Sequence, residues 1–502
     1  MSIQHLKSGT DIRGTAIGDA ITLTAEIVRD AAAAFAQMLS QRLGKACVTV
    51  AVGRDSRVSG PALSAAALEG LAQAGAVALD FGMCTTPAMY MSILSPGFEP
   101  DGAIMMTASH HPMDKNGMKF FVADGGLGGA DISALLAKAE CGIQPGEARG
   151  RIEAHPYLDT YCGLLAGRIR KGLSTDAALP LSGLHVVVDA GNGAGGFYAT
   201  LLQSLGANVD GSQFLDPDGT FPNHVPNPEN PEAMASLSAA VVKSSADIGV
   251  IFDADCDRAA MVDASGREIN RNRLIALISA ILLADAPGAT IVTDSVTSAG
   301  LARFITALGG VHHRFKRGYS NVISEAKRLN AEGIDCPLAI ETSGHAALRE
   351  NHFLDDGMYL ATLLIVHAMR LKSQGKGIGA LIEALCEPVE SVELRLSITA
   401  PDFAATGHAV IAHLLKHAEN TPGWHIAPDN REGVRISFDL DGGCLNGWFL
   451  LRLSVHDPVL PINCESDVTG GVRHMLAELY SALARFKDID PEPIARLLNK
   501  KG

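Results

Sequence analysis

The sequence predicts an α/β protein of several domains, the last of which is α+β. Its 502 residues exceed the roughly 250–300 residues at which single hydrophobic cores stop growing. Along most of the chain, apolar strand-like runs alternate with alanine- and leucine-rich helical patterns, which is typical of parallel strands buried on both faces. From about residue 389 onward, alternating apolar and polar residues replace that rhythm, which is typical of an antiparallel sheet with one covered face.

Three stretches carry the strand-and-helix pattern, and a fourth differs from them. The strands predicted in the first three lie at residues 46–53 and 102–106, 184–189 and 248–252, and 289–293 and 338–340. In the fourth stretch, residues 434–438 alternate and residues 447–453 form a second strand close behind. We therefore predict three α/β domains with mixed or parallel sheets at residues 1–165, 166–275 and 276–388, and a C-terminal α+β domain at 389–502.

Composition and charge exclude several classes of protein. A net charge of −14 argues against a nucleic-acid or anionic-membrane partner, because phosphate neutralisation needs a concentrated basic surface. The nine cysteines are dispersed without a C-x-x-C pair, which fits a reducing compartment. Residues 1–7 lack the apolar core of a signal peptide, and no apolar run is long enough to span a bilayer. These features predict a cytoplasmic protein.

The first chemical motif is the polar segment after the predicted strand at 102–106. Ser109 is followed by His110 and His111, and Lys119 lies nearby in the sequence. In α/β folds, ligands bind at the carboxyl ends of such strands. The histidines and the lysine could transfer a proton or hold a phosphate. The alternative is a polar loop with an exposed serine.

The second motif is an acidic segment after the predicted strand at 248–252. Asp253, Asp255 and Asp257 alternate along the chain, so their oxygens can converge on one hard cation. A calcium-binding EF-hand loop is excluded, because Arg258 and Ala264 occupy the positions that require Gly and Glu. Few carboxylates suit Mg²⁺ completed by phosphate and water. The alternative is a solvated acidic turn.

Three further segments carry weaker signals. Gly191, Gly193 and Gly196 match G-x-G-x-x-G, which indicates either dinucleotide binding or a tight strand-to-helix turn. Two other segments lie at the ends of predicted strands. The side chains of the first could bind sugar hydroxyls and assist proton transfer, and those of the second could bind a phosphate. Their residues are Glu341, Ser343 and His345 in the first, and Arg452 and Ser454 in the second.

Taken in this order, the five segments resemble the α-D-phosphohexomutase family, which includes phosphoglucomutases, phosphomannomutases and phosphoglucosamine mutases. Further matching strings lie at residues 9–14, 53–57 and 221–228, and the resemblance runs from about Ser8 to Asp467. It implies four domains around a central cleft. It also implies that the glycine-rich segment is a structural turn.

The resemblance implies a role for most of these side chains. Ser109 would carry a phosphate, and the three aspartates would hold an Mg²⁺ ion that also binds this phosphate. The catalytic set would be completed by His110, His345, Lys119 as a general acid/base, and Arg13 and Arg258 as phosphate supports. The sugar and its other phosphate would be bound by Glu341, Ser343, Lys316, Arg317, Arg452, Ser454 and His456.

The implied reaction interconverts hexose 1-phosphate and hexose 6-phosphate of glucose, mannose or both. It would proceed through a hexose 1,6-bisphosphate, and the enzyme would be an isomerase that works as an intramolecular phosphotransferase. Its partners would be hexose phosphates and bisphosphates, with neither nucleic acid nor membrane involved. The protein would be a monomer or a homodimer.

The sequence departs from the family pattern at three places. His111 replaces an Asn, and Tyr319 replaces a His. The usual phosphate loop, R-x-S-G-T-E-P or R-x-S-N-T-T-P, keeps its Arg, Ser and Pro here but has Val-His-Asp in the middle, and a later arginine is missing. This variant loop resembles a branch that includes glucose 1,6-bisphosphate synthases, and it predicts a looser hold on the bisphosphate. The alternative functions are therefore such a synthase, using the same serine, or a non-catalytic phosphosugar-binding homologue.

Overall fold

The computed structural model describes residues 2–142, 149–454 and 457–499. The chain divides into two compact units. The first unit runs to Leu274 and resumes over Ser343–Ala380, and the second contains Ile275–Thr342 and the part that follows from Leu381. No helix in the described ranges combines the length and the apolarity needed to cross a membrane.

The first sheet is mixed, and its parallel centre carries helices. Its strands are β1 (Lys7–Ser8), β2 (Asp11–Thr15), β3 (Thr49–Arg54), β4 (Val77–Met83), β5 (Gly102–Met106), β6 (Lys115–Val122), β7 (Gly125–Gly126) and β8 (Arg151–Ala154). The order is β1-β2-β6-β5-β3-β4-β8, with β7 on β6. Strands β5, β3, β4 and β8 run parallel, and the others pair antiparallel.

Five helices accompany this sheet. They are α1 (Ala25–Leu43), α2 (Gly60–Gln73), α3 (Thr86–Leu94), α4 (Gly129–Glu140) and α5 (Leu158–Leu173). Helix α1 begins after Thr24, whose side chain accepts a hydrogen bond from the Ile27 amide, and it ends at the left-handed Gly44. Its apolar face supplies Phe35 to a core that also contains Phe120 of β6.

The second sheet has four strands, and it also belongs to the first unit. They are β9 (Val186–Asp189), β10 (Ile248–Phe252), β11 (Ala259–Asp263) and β12 (Glu268–Ile269), in the order β12-β11-β10-β9. Strands β9 and β10 are parallel, whereas β10, β11 and β12 form an antiparallel meander. The accompanying helices are α6 (Phe197–Ser204) and α7 (Pro231–Ser244).

The chain then passes into the second unit and returns to the first. The elements of the second unit here are α8 (Asn272–Asp285), which begins just before the boundary, and β13 (Thr290–Thr293), α9 (Ala299–Ala307), β14 (Val311–Arg314), α10 (Tyr319–Ala331) and β15 (Leu338–Ile340). Strand β13 pairs parallel with β14 and with β15. Back in the first unit are the hairpin β16 (Ala346–Leu348) and β17 (Leu354–Asp355), followed by α11 (Gly357–Lys372).

The C-terminal part of the second unit is an antiparallel sheet with helices. Its strands are β18 (Glu390–Ser397), β19 (His425–Ile426), β20 (Val434–Phe438), β21 (Gly447–Leu451) and β22 (Val459–Ser466), in the order β18-β22-β21-β20-β19. Its helices are α12 (Phe403–Asn420), α13 (Gly471–Leu483) and α14 (Glu492–Asn499). An apolar core lies between the sheet and these helices. The predicted fold class, α/β with a C-terminal α+β part, is confirmed, and the three boundaries between the four predicted domains stay a prediction. Short 3₁₀ turns complete the described structure at Gln4–Leu6, Ala194–Gly196, Arg349–Asn351 and Ile378–Ile382.

A buried carboxylate caps the start of α11. Asp356 accepts hydrogen bonds from the Tyr359 amide at 2.8 Å and from the Tyr161 hydroxyl at 2.9 Å. Burial raises the pKa of Asp356 to about 6. As pH rises from the ordinary aspartate pKa of 3.8 to this value, the unfolded chain gives up a proton that the folded chain keeps. The free energy of unfolding therefore falls over that interval.

We expect Asp356→Asn to remove this pH dependence. The wild type should lose up to about 3 kcal/mol of stability relative to the variant between about pH 4 and pH 7, at 1.36 kcal/mol for each pKa unit. Denaturant unfolding of both proteins at several pH values measures the difference. Asp176→Asn, a change at an exposed aspartate of the same unit, is the control and should run parallel to the wild type. Parallel curves for Asp356→Asn would contradict the shifted pKa.

Candidate active site

Ser109 lies in the loop that joins the parallel strand β5 to β6. Its backbone is left-handed, with φ of 52°, and the residue is 1% exposed. The Ser109 amide donates to the Thr107 hydroxyl at 2.8 Å, and the Ser109 hydroxyl donates to Asp253 at 2.8 Å. The alternative of an exposed serine in a polar loop is therefore wrong. The serine hydroxyl is buried against a carboxylate of the loop between β10 and β11.

The three aspartates lie in the tight connection between β10 and β11. Asp253, Asp255 and Asp257 are all buried, and one oxygen from each lies within 4.8 Å of the others. Burial, followed by repulsion from Asp257 and Asp255, raises the pKa of Asp253 well above its ordinary value. A solvated acidic turn would show neither feature, so that alternative is wrong.

This cluster fits a divalent metal ion. Asp255 Oδ1 and Asp257 Oδ1 are buried and accept no hydrogen bond within the part of the chain that the structure describes. The other oxygen of Asp255 accepts a hydrogen bond from the Thr86 hydroxyl at 2.5 Å, which fixes the carboxylate. Unpartnered buried oxygens are costly in the absence of a cation. They are also the hard ligands that divalent ions such as Mg²⁺ take.

Two cationic side chains adjoin the aspartates. Lys119 of β6 forms ion pairs with Asp255 at 3.0 Å and with Asp257. Arg258 places its Nε 3.5 Å from Asp253 and its Nη2 3.3 Å from the Ser109 hydroxyl. Three carboxylates against two cations leave a formal charge of −1 among these five side chains. A divalent cation would make the cluster net positive and suited to a phosphate group.

Two predicted histidines belong to the same cluster. His110 Nδ1 lies 3.3 Å from the Ser109 hydroxyl and contacts Arg258 Nη2. His345 hydrogen-bonds the Ser343 hydroxyl at 2.9 Å through Nδ1 and places Nε2 3.6 Å from Asp257. Burial and then the charge of Arg258 lower the pKa of both rings below the ordinary histidine value. The surroundings of both rings therefore disfavour the charged imidazolium form.

Arg13 and His111 lie at the border of this group. Arg13, on β2, pairs with Asp11 at 2.8 Å, and about a fifth of its side chain is exposed. The ring of His111, which replaces the usual Asn, stacks on His110 with centroids 4.9 Å apart. Burial and then Arg13 lower the pKa of His111 to about 4. The substitution therefore adds a neutral aromatic face beside His110.

The remaining predicted residues lie in the second unit. Glu341 follows β15 and accepts a hydrogen bond from the Gly318 amide at 2.6 Å. The Arg317 amide donates to Glu432 at 2.9 Å. Lys316, the residue before, is exposed. Glu432 therefore holds the backbone of the loop that contains Lys316 and Arg317 through this hydrogen bond.

The loop that the sequence predicts to bind a phosphate follows β21. Arg452 is half-buried, and its Nε donates no hydrogen bond within the described ranges. Burial and then Arg317 lower the pKa of Arg452. The Ser454 hydroxyl accepts a hydrogen bond from the Asp457 amide at 3.2 Å. His456 lies outside the described residues.

The glycine-rich segment forms a turn that packs against Ala254 and Leu215. Gly191 has φ of 52°, which favours glycine. A Cβ on Gly193 would lie 2.7 Å from Ala254 Cα, and one on Gly196 would lie 1.9 Å from the Leu215 carbonyl oxygen. The glycines therefore let this turn approach the aspartate loop, as the resemblance implies.

Several residues without a predicted role contact either the serine loop or the aspartates. Thr86 holds Asp255, and the residues Asp55, Arg57 and Thr107 surround the serine loop. Asp55 and Arg57 lie just after β3, in one of the strings that match the family. Two charged residues at the end of a buried strand were a signal of a role at this edge of the sheet.

Sequence models of three domains match the chain in succession. They are described as phosphoglucomutase/phosphomannomutase, alpha/beta/alpha domains I, II and III, and they match residues 5–139, 167–266 and 270–389. A phosphomannomutase/phosphoglucomutase of Pseudomonas putida is 31% identical over 456 residues, which are 90% of each chain. The chain belongs to the phosphoglucomutase/phosphomannomutase family.

Other members of the family are similar to this chain over comparable lengths. A phosphoglucomutase of Neisseria gonorrhoeae is 31% identical over 435 residues, covering 86% of this chain and 87% of that one. The crystal structure of a phosphoglucomutase/phosphomannomutase family protein from Burkholderia thailandensis matches with a TM-score of 0.78 at 30% identity, covering 96% and 98% of the two chains.

Family membership confirms the predicted resemblance to the α-D-phosphohexomutases and the predicted class of enzyme. The protein is a hexose-phosphate mutase, a phosphotransferase-type isomerase. The comparisons do not favour the two alternatives, a bisphosphate synthase and a non-catalytic phosphosugar-binding homologue.

Proposed function

We propose that the protein interconverts hexose 1-phosphate and hexose 6-phosphate of glucose, mannose or both, through a phosphate carried on Ser109. The observation that supports this most directly is the Ser109 hydroxyl, which lies 2.8 Å from Asp253 and 3.3 Å from Arg258. A serine placed among carboxylates that fit a cation, and beside a guanidinium, suits phosphoryl transfer, which depends mainly on positioning and charge neutralisation.

The reaction consists of two phosphoryl transfers. In the first, the bond between phosphorus and Ser109 Oγ breaks while a sugar hydroxyl bonds to phosphorus and loses its proton, which yields a hexose 1,6-bisphosphate. Ser109 Oγ takes up a proton as it leaves. In the second transfer, Ser109 Oγ gives up that proton and bonds to the phosphorus of the other phosphate, while the sugar oxygen that carried this phosphate leaves and takes up a proton. His345, whose Nε2 lies 3.6 Å from Asp257, is placed at the cluster where it could accept the proton. Lys119, held as an ammonium between Asp255 and Asp257, is suited to return it.

We propose Mg²⁺ as the metal, held by Asp253, Asp255 and Asp257. When bound, it supplies positive charge that neutralises the phosphate on Ser109. Arg258 and Arg13 add to that charge, and His110 orients the serine oxygen through its contact at 3.3 Å.

We propose further that Glu341 and Ser343 bind sugar hydroxyls. The phosphate that is not transferred would bind Arg452, Ser454, Arg317, Lys316 and His456. The Arg452 guanidinium suits this role because its Nε is buried without a hydrogen-bond acceptor in the described ranges, and a phosphate oxygen would supply one.

Arg452→Met tests this binding role. Hydrogen bonds to charged groups contribute about 1.5–3 kcal/mol, so we expect KM for the hexose phosphate to rise roughly 10- to 100-fold, with a smaller change in kcat. Steady-state kinetics measure both constants. Arg395→Met, at an exposed arginine of β18 in the same unit, should leave KM unchanged. An unchanged KM in Arg452→Met would remove Arg452 from the phosphate site.

We place the enzyme in the cytoplasm, as a monomer or a homodimer. The nine cysteines are all free thiols, as expected of a reducing compartment. Size-exclusion chromatography with light scattering would distinguish the two oligomeric states.

Identification of products tests the proposed reaction. Purified protein is incubated with Mg²⁺, a trace of glucose 1,6-bisphosphate, and either glucose 1-phosphate or mannose 1-phosphate. Phosphorus NMR then follows the 1-phosphate, the 6-phosphate and the bisphosphate together. We expect many conversions for each bisphosphate released. Accumulation of bisphosphate as the main product, or no conversion of either sugar, would contradict the proposal.

A further inference from the structure

Arg57 is a fully buried arginine that faces the serine loop. It lies between β3 and α2 and has no exposed surface. Its Nη1 donates to the carbonyl oxygens of Pro112 at 2.7 Å and Lys115 at 2.9 Å. Its Nη2 donates to the carbonyl oxygens of Ser109 and of His111, the latter at 2.7 Å. One guanidinium thus binds four carbonyl oxygens of one loop.

The remaining donor of Arg57 connects it to a second buried chain of hydrogen bonds. Arg57 Nε donates to Asp55 at 3.1 Å, and the Thr107 hydroxyl donates to the same Asp55 oxygen at 2.7 Å. The Thr107 hydroxyl in turn accepts from the Ser109 amide at 2.8 Å. All five N–H donors of the guanidinium are therefore used. The peptide groups on both sides of Ser109 are held, one through Thr107 and the other directly.

The hydrogen bonds of Arg57 and Thr107 hold the backbone of Ser109 in an unusual conformation. Ser109 has a left-handed backbone with φ of 52°, which costs energy for a residue other than glycine. Such strain persists only where the surroundings impose it. The ring of Phe221 lies 5.3 Å from the Arg57 guanidinium, so one face of Arg57 is covered as well.

We infer that Arg57 is a positioning residue that holds Ser109 in its left-handed conformation, with the hydroxyl directed at Asp253. This inference rests on the phosphoserine chemistry proposed above. Arg57 touches neither the Ser109 hydroxyl nor the aspartate triad in the described structure, so it acts through the backbone. Its charge is compensated by Asp55, and its role depends on the planar fork of donors.

Arg57→Lys is the direct test, because lysine keeps the charge but cannot reach four carbonyl oxygens. Misplacing a reacting group by about 1 Å can cost a factor of 100, so we expect kcat to fall by about 100-fold with KM for the hexose phosphate unchanged. The single-turnover rate of Ser109 phosphorylation by glucose 1,6-bisphosphate, followed by quenched-flow mass spectrometry, should fall by the same factor. Amide hydrogen exchange should rise selectively over residues 107–117.

Two further proteins make the test decisive. Arg42→Lys alters an exposed ion pair with Asp131 in the same unit, and it should match the wild type in every readout. The double variant Asp55→Asn with Arg57→Gln removes both buried charges together, so no charge is left unpaired if Arg57→Lys fails to fold. It should show the same selective loss of kcat.

The possible results distinguish failure of the proposed function from failure of the positioning role of Arg57. If wild-type protein forms no phosphoserine with the bisphosphate, the proposed function fails before Arg57 is tested. If the wild type forms phosphoserine and Arg57→Lys does so at the same rate, the inference is overturned. Failure of both the single and the double variant to fold would assign Arg57 to stability alone, and this would also overturn it.

Discussion

Replacing Ser109 with alanine should abolish mutase activity while the protein remains folded. We expect a loss of roughly 10⁴-fold or more, because removing a covalent nucleophile costs factors of this order. The wild type should gain the mass of one phosphate when treated with glucose 1,6-bisphosphate, and peptide mapping should locate that phosphate on Ser109. The Ser109→Ala protein should gain none.

The control for this experiment is Ser265→Ala, which alters an exposed turn in the same unit. It should keep both the activity and the phosphate. An active wild-type enzyme without phosphoserine, before or after bisphosphate treatment, would contradict the mechanism. So would appreciable activity in Ser109→Ala.

Asp255→Asn should have the next largest effect. A metal ion supplies several kcal/mol of charge stabilisation, so loss of one ligand should lower kcat by about 100-fold or more. The same change removes one of three mutually repelling buried carboxylates. The variant should therefore be at least as stable as the wild type when no Mg²⁺ is present.

Thermal unfolding with and without Mg²⁺ separates these two effects. Mg²⁺ should raise the Tm of the wild type, because an ion that binds only the folded state stabilises it. It should raise the Tm of Asp255→Asn much less. Asp176→Asn, at an exposed aspartate, should behave as the wild type does. Wild-type activity of Asp255→Asn at limiting Mg²⁺ would exclude this site.

The sequence predicted those parts of the site that lie directly after apolar strands. Strands β5 and β10 are buried at every position, so their ends were visible, and with them Ser109 and the aspartates. The left-handed backbone of Ser109 was not predictable, because it is imposed by partners far away in the sequence. The predicted strand at 46–53 lies at Thr49–Arg54 in the structure, a shift of a few residues that is usual for element ends.

Strands β6 and β22 are among those that were not predicted, and each contains residues that interrupt an apolar strand pattern. In β6, Asn116 and Lys119 are buried, and Lys119 forms ion pairs with two of the aspartates. In β22, which lies between β18 and β21, Pro461 argues against a central strand because it has no amide to donate. In β6, a charged residue that pairs with the aspartates occupies a position where the strand pattern requires an apolar residue. In β22 the Pro461 carbonyl oxygen still accepts a hydrogen bond from the Arg452 amide.

The partners of Arg57 illustrate why the rest could not be predicted. Its carbonyl acceptors lie more than fifty residues along the chain, and no spacing rule relates a side chain to backbone groups so distant. Only the folded sheet, in which β3 and β5 are neighbours, brings the two loops together.

The discontinuity of the first unit has a consequence for how the protein is made. Helix α11, which packs on α5, β10 and β11, is translated only after the intervening segment of the second unit, Ile275–Thr342. At roughly 5–20 residues per second, the ribosome needs on the order of 5–20 seconds to pass from residue 274 to residue 380. During that interval, the apolar surface that α11 will cover remains open to chaperones. Gly357, at the start of α11, packs closely against the backbone of Arg258. A nascent chain that already contains Ser109 and the three aspartates therefore still lacks the segment that packs against Arg258.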